Sequence, residues 1–170
     1  MSAGIEISLV EGDIAEQRVD AVVNAANRRM RGGSGVDGAI HAAAGPGLLE
    51  ECEQRFPNGL ATGSAGWTAG HRLAARWVIH VVGPNYRAGE TDRNLLVSCY
   101  ANALHVADEL GARSVAFPLV SAGVYGWPRE DAIAAAVDTV RATPTSVERA
   151  VLVAFGRAAY DEIAAYLAAH

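Results

Sequence analysis

The stretch that most restricts the fold of this chain runs from residue 24 to residue 45 and joins a strand end, a glycine-rich turn and a helix. The strand is predicted over Asp20–Ala26, the turn is Gly32–Gly35, and Val36–Ala44 is predicted to be helical. Glycines allow close approach to the backbone, and the first N–H groups of a helix have no intrahelical partners. The stretch therefore predicts an anion site, and the phosphates of a nucleotide are the expected ligand.

The same residues match a rival pattern, the dinucleotide fingerprint G-x-G-x-x-G, over Gly33–Gly38. The fingerprint requires its glycines directly after a strand, and an acidic residue at the end of a second strand roughly 20 residues further on. Here Asn27–Arg31 separates the strand from the turn, and Leu48–Arg55 is predicted to be helical. A nicotinamide-dependent oxidoreductase is therefore disfavoured, whereas diphosphate binding is not.

Strands and helices are predicted to alternate along the whole chain, and several strands are apolar on both faces. The predicted strands are Ile5–Val10, Asp20–Ala26, Thr62–Ala69, Trp77–Val82, Ser114–Leu119 and Ala150–Phe155. The predicted helices are Val36–Ala44, Leu48–Arg55, Asp92–Leu110, one that opens at Trp127–Asp131, and Arg157–His170. This order predicts an α/β fold, a single domain over residues 1–170 with three α/β/α layers and a mixed, largely parallel central sheet.

A second glycine turn, Ser121–Gly126, lies between the predicted strand Ser114–Leu119 and the helix that follows it. Proline and acidic residues open that helix, as is usual in a first helical turn. Two such strand–turn–helix units can hold a diphosphate from both sides, with backbone N–H groups as donors.

The composition excludes several classes of function. A net charge of −5 argues against general nucleic-acid binding, which depends on a basic surface. All 14 basic residues are arginine, which excludes a lysine nucleophile or Schiff base. Cys52 and Cys99 lack metal-ligand spacing and are expected to be reduced core thiols of a cytoplasmic protein. We expect neither a signal peptide nor a membrane span.

The motifs around both turns resemble those of the macrodomain family, and specifically of its MacroD-like branch. The resemblance covers nearly the whole chain. It rests on G-D-I at Gly12–Ile14, N-A-A-N at Asn24–Asn27, the glycine run at Gly32–Gly35, V-D-G-A-I-H at Val36–His41, A-A-G at Ala43–Gly45, V-I-H-x-V-G-P at Val78–Pro84, V-A-F-P at Val115–Pro118 and S-T-G-x-Y-G at Ser121–Gly126. In this chain Ser34 replaces a glycine common in the first loop, and Ala122 replaces the usual threonine of the second.

The resemblance implies ADP-ribose as the ligand and ADP-ribosylated proteins as partners. For the MacroD-like branch it implies hydrolysis of ADP-ribose esters on acidic side chains and deacetylation of O-acetyl-ADP-ribose; a non-catalytic ADP-ribose reader is the alternative. It implies catalytic roles for Asn27, which would hold ribose hydroxyls, and for Asp37, which would orient and activate water. We expect no cofactor and no metal ion, and a monomer without nucleic-acid or membrane partners.

The remaining implied contacts follow the length of the ligand. Asp13 would bind the amino group of adenine, the backbone N–H of Ile14 would bind the ring, and Phe155 would stack on it. Tyr125 would form a wall beside the distal ribose. The backbone N–H groups of Gly33–Val36 and Ser121–Tyr125 would bind phosphate. The residues of the two loops implied in substrate binding are Gly32, Gly33, Ser34, Gly35, Val36, Ser121, Ala122, Gly123, Val124, Tyr125 and Gly126.

Without the resemblance, four of these residues have structural interpretations. Asp13 and Asn27 are typical of turns, because their short polar side chains bond nearby backbone. Asp37 lies in a predicted first helical turn, where a carboxylate interacts favourably with the helix dipole. Phe155 has the composition of a core residue at a strand end.

Three further polar residues and one basic segment are interpreted without a catalytic role. Asn24 is expected to bond neighbouring backbone, His41 to be packed on its helix, and His80 to be a hydrogen-bonded core histidine. The arginines of Arg28–Arg31 are either part of a solvated loop or the source of a positive field for an anionic substrate or a modified protein partner.

Overall fold

The computed structural model describes residues 4–170, and these form a six-stranded sheet covered by helices on both faces. The strands are β1 Glu6–Glu11, β2 Ala21–Ala26, β3 Ala65–Ala69, β4 Trp77–Val82, β5 Ser114–Phe117 and β6 Arg149–Ala154. Their order in the sheet is β1-β6-β5-β2-β4-β3, and all neighbours are parallel except β3 and β4. The prediction of a mixed, largely parallel sheet is confirmed.

Five α-helices cover the sheet. They are α1 Gly35–Ala44, α2 Pro46–Arg55, α3 Arg93–Leu110, α4 Arg129–Ala142 and α5 Arg157–Ala169. The helices α1 and α2 pack on one face, and α3, α4 and α5 pack on the other, which confirms the three-layer α/β/α fold. No helix within residues 4–170 is both long and apolar enough to cross a membrane.

The predicted elements are observed, with shifted ends where glycine changes the backbone direction. The strand predicted from Thr62 begins only at Ala65, because a turn precedes it in which Gly63 has φ of 88°. The last strand ends at Ala154, one residue before Phe155, since Gly156 has φ of 102° and leads into α5.

The central strand β2 separates two hydrophobic cores. Val22 packs with the residues under α1 and α2, and Val23 packs with those under α3 and α4. This alternation confirms the predicted period of two, which also placed Asn24 on the same face as Val22.

The chain leaves the adjacent strands β2 and β5 toward opposite faces of the sheet. β2 leads to α1 on one face, and β5 leads to α4 on the other. Such a switch point leaves a crevice at the carboxyl ends of the two strands, where ligands of open α/β sheets bind. The topology therefore predicts a ligand site at the carboxyl ends of β2 and β5.

Tyr100 of α3 supports the chain just after β5. Its ring is 1% exposed, and its hydroxyl accepts a hydrogen bond from the Val120 N–H at 2.9 Å and donates one to the Pro118 carbonyl at 3.2 Å. The hydroxyl thus satisfies two buried backbone groups that no regular element pairs.

Replacing Tyr100 by phenylalanine should lower the free energy of unfolding by roughly 1–3 kcal/mol, because two buried backbone groups lose their partner. Chemical denaturation of both proteins measures the difference. Tyr160→Phe is the matched control, since the Tyr160 hydroxyl makes no hydrogen bond within residues 4–170. Equal losses in the two variants would contradict this role of Tyr100.

Candidate functional site

A cleft of about 550 Å³ opens at the carboxyl ends of the parallel strands, within the size range of small-molecule sites. Most of the residues predicted for the site line it: Asp13, Ile14, Asn27, Ser34, Gly35, Val36, Ser121, Ala122, Gly123, Val124, Tyr125 and Phe155. Four predicted residues are not part of this lining: Gly32, Gly33, Asp37 and Gly126. Residues not predicted for the site, among them Gly12, Gly83 and Arg129, also line the cleft.

The first glycine turn directs the amino end of α1 at the cleft. Ser34 precedes the helix in an extended conformation, and its side chain makes no capping hydrogen bond. The first N–H groups of α1 therefore have no side-chain acceptor and are available to an anion. Gly38 allows the turn to fold back on the helix, since a Cβ atom there would lie 2.7 Å from the Gly33 carbonyl oxygen.

The second glycine turn faces the first across the cleft, but it does so as a loop and not as a helix start. Trp127 and Pro128 separate it from α4, and the indole N–H of Trp127 donates to the Asp131 carboxylate in the first turn of that helix. Nothing lies within 4 Å of a Cβ atom built on Gly123, so its backbone is open to a ligand. The Ala122 and Gly126 N–H groups are bonded to the Leu119 and Gly123 carbonyls and so are not free for a ligand, contrary to the prediction for Ala122. The donors on this side are the N–H groups of Ser121, Gly123, Val124 and Tyr125, which have no acceptor within residues 4–170.

One end of the cleft has an acidic and an aromatic wall. The Asp13 carboxylate accepts a hydrogen bond from the Ala15 N–H at 2.8 Å, so it caps a short 3-10 turn as its structural interpretation predicts. The residue nevertheless remains exposed and lines the cleft. Phe155 is 91% exposed, which excludes the interpretation as a core aromatic. An exposed ring at the cleft edge is suited to stacking on a flat ligand.

The Asp37 carboxylate is held beneath the first loop. The residue is 4% exposed, its Oδ1 accepts a hydrogen bond from Asn24 Nδ2 at 2.9 Å, and His41 Nε2 lies 3.4 Å from the same oxygen. Burial raises the pKa of Asp37, and the hydrogen bond from Asn24 opposes this rise. The expectation that Asn24 bonds neighbouring backbone is wrong, because the Val22 face of β2 points at α1 and not along the strand.

Asn24 is itself fixed by a buried pair on β4 and β3. Its Nδ2 lies 3.1 Å from His80 Nδ1, and His80 Nε2 lies 2.9 Å from Thr68 Oγ1. Since an amide nitrogen can only donate, His80 carries its proton on Nε2 and donates it to Thr68. Burial lowers the pKa of His80 to about 3, so the ring is neutral. The prediction of a hydrogen-bonded core histidine is confirmed.

Asn27 and Gly33 shape the space next to Asp37. The Asn27 side chain donates to the Gly32 carbonyl at 3.1 Å and accepts from the Arg29 N–H at 3.1 Å, which meets its interpretation as a turn asparagine. A Cβ atom on Gly33 would lie 3.1 Å from Asp37 Oδ2 and 3.4 Å from Asn27 Nδ2. Because Gly33 has no side chain, this position beside both polar groups stays open.

The part of the chain that the structure describes contains neither a thiol with a lowered pKa nor a metal-ligating cluster. Burial raises the pKa of Cys52 to about 11 and that of Cys99 to about 12, so both thiols stay protonated. Within residues 4–170 no group of three or more histidine, cysteine, aspartate or glutamate side chains is placed to hold a metal ion.

Sequence reasoning missed the polar contacts that surround Asp37. The spacing of four residues between Asp37 and His41 was a usable signal, since such residues meet on one helix face. The line from Asn24 through His80 to Thr68 crosses three strands, and only the register of the sheet brings these residues together.

Comparisons with known proteins agree with one another. The family model for the Macro domain matches residues 23–136. A macro domain-containing protein of Streptomyces nogalater is 53% identical over 162 residues, which are 93% of this chain and 90% of that protein. The Oceanobacillus iheyensis macrodomain with ADP is 36% identical with a TM-score of 0.88, over 95% of this chain and 89% of that chain.

A solved macrodomain from a second organism has the same fold. The Trypanosoma brucei macrodomain in complex with ADP-ribose is 39% identical with a TM-score of 0.88, over 95% of this chain and 69% of that chain. Solved variants of the Oceanobacillus protein carry alanine for an asparagine at its position 30 or for an aspartate at its position 40. Family match, sequence identity and shared fold together show that this chain belongs to the macrodomain family.

Proposed function

We propose that this macrodomain binds ADP-ribose in the cleft and hydrolyses ADP-ribose esters on acidic side chains of proteins, as the MacroD-like branch does, with O-acetyl-ADP-ribose as a second substrate. The observation that carries the proposal is the placement of Asp37. Its carboxylate lies beside Asn27, next to the open position at Gly33 and adjacent to a cleft walled by two backbone loops. The relatives solved with ADP and with ADP-ribose support the choice of ligand.

The ligand is oriented by the chemistry at the two ends of the cleft. Adenine lies at the end formed by Asp13 and Phe155, where a carboxylate meets its amino group and an exposed ring stacks on it. The diphosphate lies between the amino end of α1 and the loop 121–125, which supply uncharged donors from both sides. The distal ribose then reaches Asn27 and Tyr125.

Hydrolysis proceeds by attack of water on the acyl carbon of the ester. A water molecule beside Gly33 accepts a hydrogen bond from Asn27 Nδ2 and donates one to Asp37 Oδ2, which increases its nucleophilicity. Its oxygen bonds to the acyl carbon, the bond between that carbon and the ribose oxygen breaks, and the proton ends on the released ribose hydroxyl. The products are a free carboxylic acid and ADP-ribose.

The spacing of the two groups supports this assignment. The asparagine and the aspartate substituted in the Oceanobacillus variants are ten positions apart (40 − 30), and Asn27 and Asp37 have the same separation (37 − 27). This equal separation supports the assignment of Asn27 and Asp37 to equivalent points of a strand–turn–helix unit.

A non-catalytic reader of ADP-ribose is the second candidate, and one observation favours it. Asp37 is 4% exposed and is not among the residues that line the cleft. A reader needs the adenine and diphosphate contacts, but it has no use for an ionisable group beside an ester. The two candidates differ in turnover and not in binding.

Binding is tested by replacing Gly123 with valine. Titration calorimetry should show that the wild type binds ADP-ribose well and AMP poorly, since AMP lacks the second phosphate and the distal ribose. Gly123→Val should abolish ADP-ribose binding, because its side chain fills open space in front of the loop donors. Gly4→Val is the control: Gly4 also faces open space, but at the amino end of β1. Equal affinity for ADP-ribose and AMP would contradict a diphosphate site.

Catalysis is tested by Asp37→Ala with glutamate-linked ADP-ribose as substrate. We expect turnover to fall by roughly 10²-fold or more, the scale of acid–base groups, while ADP-ribose binding is kept or improves as repulsion is removed. Asn27→Ala should weaken both turnover and binding. Asp161→Ala, an exposed aspartate on α5, serves as the control.

Serine-linked and arginine-linked ADP-ribose complete the assay, because neither contains an acyl ester and neither should be cleaved. Firm binding by the wild type without hydrolysis of the glutamate-linked substrate would establish the reader. Full activity of Asp37→Ala would show that the protein is an enzyme but that a group other than Asp37 activates the water.

The pH dependence of kcat/KM tests the contact between Asn24 and Asp37. Activity requires the ionised carboxylate, so it is lost as the pH falls through the pKa of Asp37, which burial raises above its usual value of 3.8. Asn24→Ala removes a hydrogen bond that lowers this pKa, so the acidic limb of the profile should move to higher pH. Asn58→Ala, in an exposed turn, should leave the limb in place. An unmoved limb in Asn24→Ala would exclude Asp37 as the group that titrates.

A further inference from the structure

We propose that Arg28, Arg29 and Arg87 form an arginine rim at the distal end of the cleft, which recognises acidic side chains next to the modified residue of a protein substrate. The inference rests on the proposed function, because the distal ribose is the point at which a modified protein is attached. It assigns a role to a basic segment that the reaction itself does not use.

The segment Arg28–Arg29 is joined directly to the residue expected to hold the distal ribose. The Arg29 N–H donates to Asn27 Oδ1 at 3.1 Å, so the backbone of the rim and the side chain of Asn27 form one turn. The Arg28 and Arg29 side chains are both exposed, and that of Arg28 is 68% exposed. A chain leaving the ribose at Asn27 passes within one or two residues of these positive charges.

Arg87 brings a third charge from the opposite side. Its N–H donates to the Tyr125 carbonyl at 3.0 Å, and its side chain lies against Gly126, where a Cβ atom would be 2.5 Å from Arg87 Nε. Arg87 is therefore attached to the second loop next to the residue expected to form a wall of the ribose site. The two sides of the rim flank the same end of the cleft.

One acidic residue bridges the two sides. Arg28 Nη1 lies 3.7 Å from Glu90 Oε2, and the other carboxylate oxygen of Glu90 accepts a hydrogen bond from the Asn85 N–H at 2.8 Å. Glu90 thus offsets one of the three charges and fixes Arg28 across the opening. Arg29 and Arg87 make no side-chain hydrogen bond or ion pair among residues 4–170 and keep their full capacity for a partner.

Arg31 is different, although the sequence groups it with the other two arginines. Its guanidinium donates to the Arg29 carbonyl at 3.1 Å and to the Cys52 carbonyl, near the end of α2, at 3.4 Å. These bonds hold the loop to α2, so Arg31 is structural. Arg31 is therefore neither part of a solvated loop nor a member of the rim, and the positive field is assigned to the other arginines.

The partner that fits this rim is an acidic peptide. Guanidinium groups pair with carboxylates, and an ester on a glutamate places neighbouring aspartates and glutamates of the substrate at the cleft opening. A nucleic acid would need a long basic surface along its backbone, whereas the chain as a whole has a net charge of −5. The positive charge of the rim is confined to one end of the cleft.

The test compares two synthetic peptides, each carrying ADP-ribose on a single glutamate, one with flanking aspartates and one with flanking serines. Binding is measured in the Asp37→Ala background, so that hydrolysis does not interfere. The acidic peptide should bind roughly three- to tenfold more tightly at low salt, the range for a few exposed ion pairs. Added salt should reduce this advantage, because the charges are in solvent.

The double variant Arg29→Glu/Arg87→Glu should remove the preference or reverse it, while the affinity for free ADP-ribose stays within about twofold, since neither arginine lines the cleft. The control is Arg113→Glu/Arg149→Glu, which makes the same charge change on exposed arginines at the amino ends of β5 and β6. This control should keep the preference for the acidic peptide.

Equal binding of the two peptides, or equal loss in both double variants, overturns the inference. Tighter binding of an oligonucleotide with ADP-ribose on its terminal phosphate than of the acidic peptide overturns it in favour of a nucleic-acid substrate. Failure of free ADP-ribose to bind overturns the proposed function along with the rim, whereas firm binding of ADP-ribose without any peptide preference overturns the rim alone.

Discussion

The hydrogen bond from Asn24 to Asp37 joins the central strand to the first helix, and the arrangement of the site depends on it. The bond is buried, and each partner is restricted by a second contact, Asn24 by His80 and Asp37 by His41. A buried carboxylate without such a donor would be strongly unfavourable in its charged form. The contact therefore allows the Asp37 carboxylate to be buried in the first turn of α1, where the helix dipole also favours negative charge.

The proposed ligand site needs no lysine, although the protein is acidic and the proposed ligand is an anion. Its donors are backbone N–H groups at the start of α1 and in the loop after β5, and they carry no net charge. Their direction is set by the elements on either side, and Tyr100 holds the second of them from below. Side-chain identity matters little at such positions, which is consistent with Ser34 and Ala122 replacing the residues usual in the family.

The fold and the outline of the cleft could be predicted because they depend on local signals. Alternating strands and helices define the layers, and glycine turns after two strands mark the two loops. The surroundings of Asp37 could not be predicted, since Asn24, His80 and Thr68 meet only through the pairing of β2, β4 and β3. The exposure of Phe155 and the different contacts of the Arg29 and Arg31 side chains could not be predicted either, because composition does not show where a loop side chain points.

The neutral His80 has a consequence for the acid tolerance of the whole molecule. In the unfolded chain this histidine takes up a proton near its usual pKa of 6.5, whereas in the folded protein it does so only near 3. Between these values the unfolded state binds one more proton, so uptake of that proton lowers the free energy of unfolding as the pH falls. Above pH 6.5 the His80 ring is neutral in both the folded and the unfolded state, so this loss of stability does not occur. The side chain that orders the interior at neutral pH thus also helps to set the lower pH limit at which the domain can stay folded.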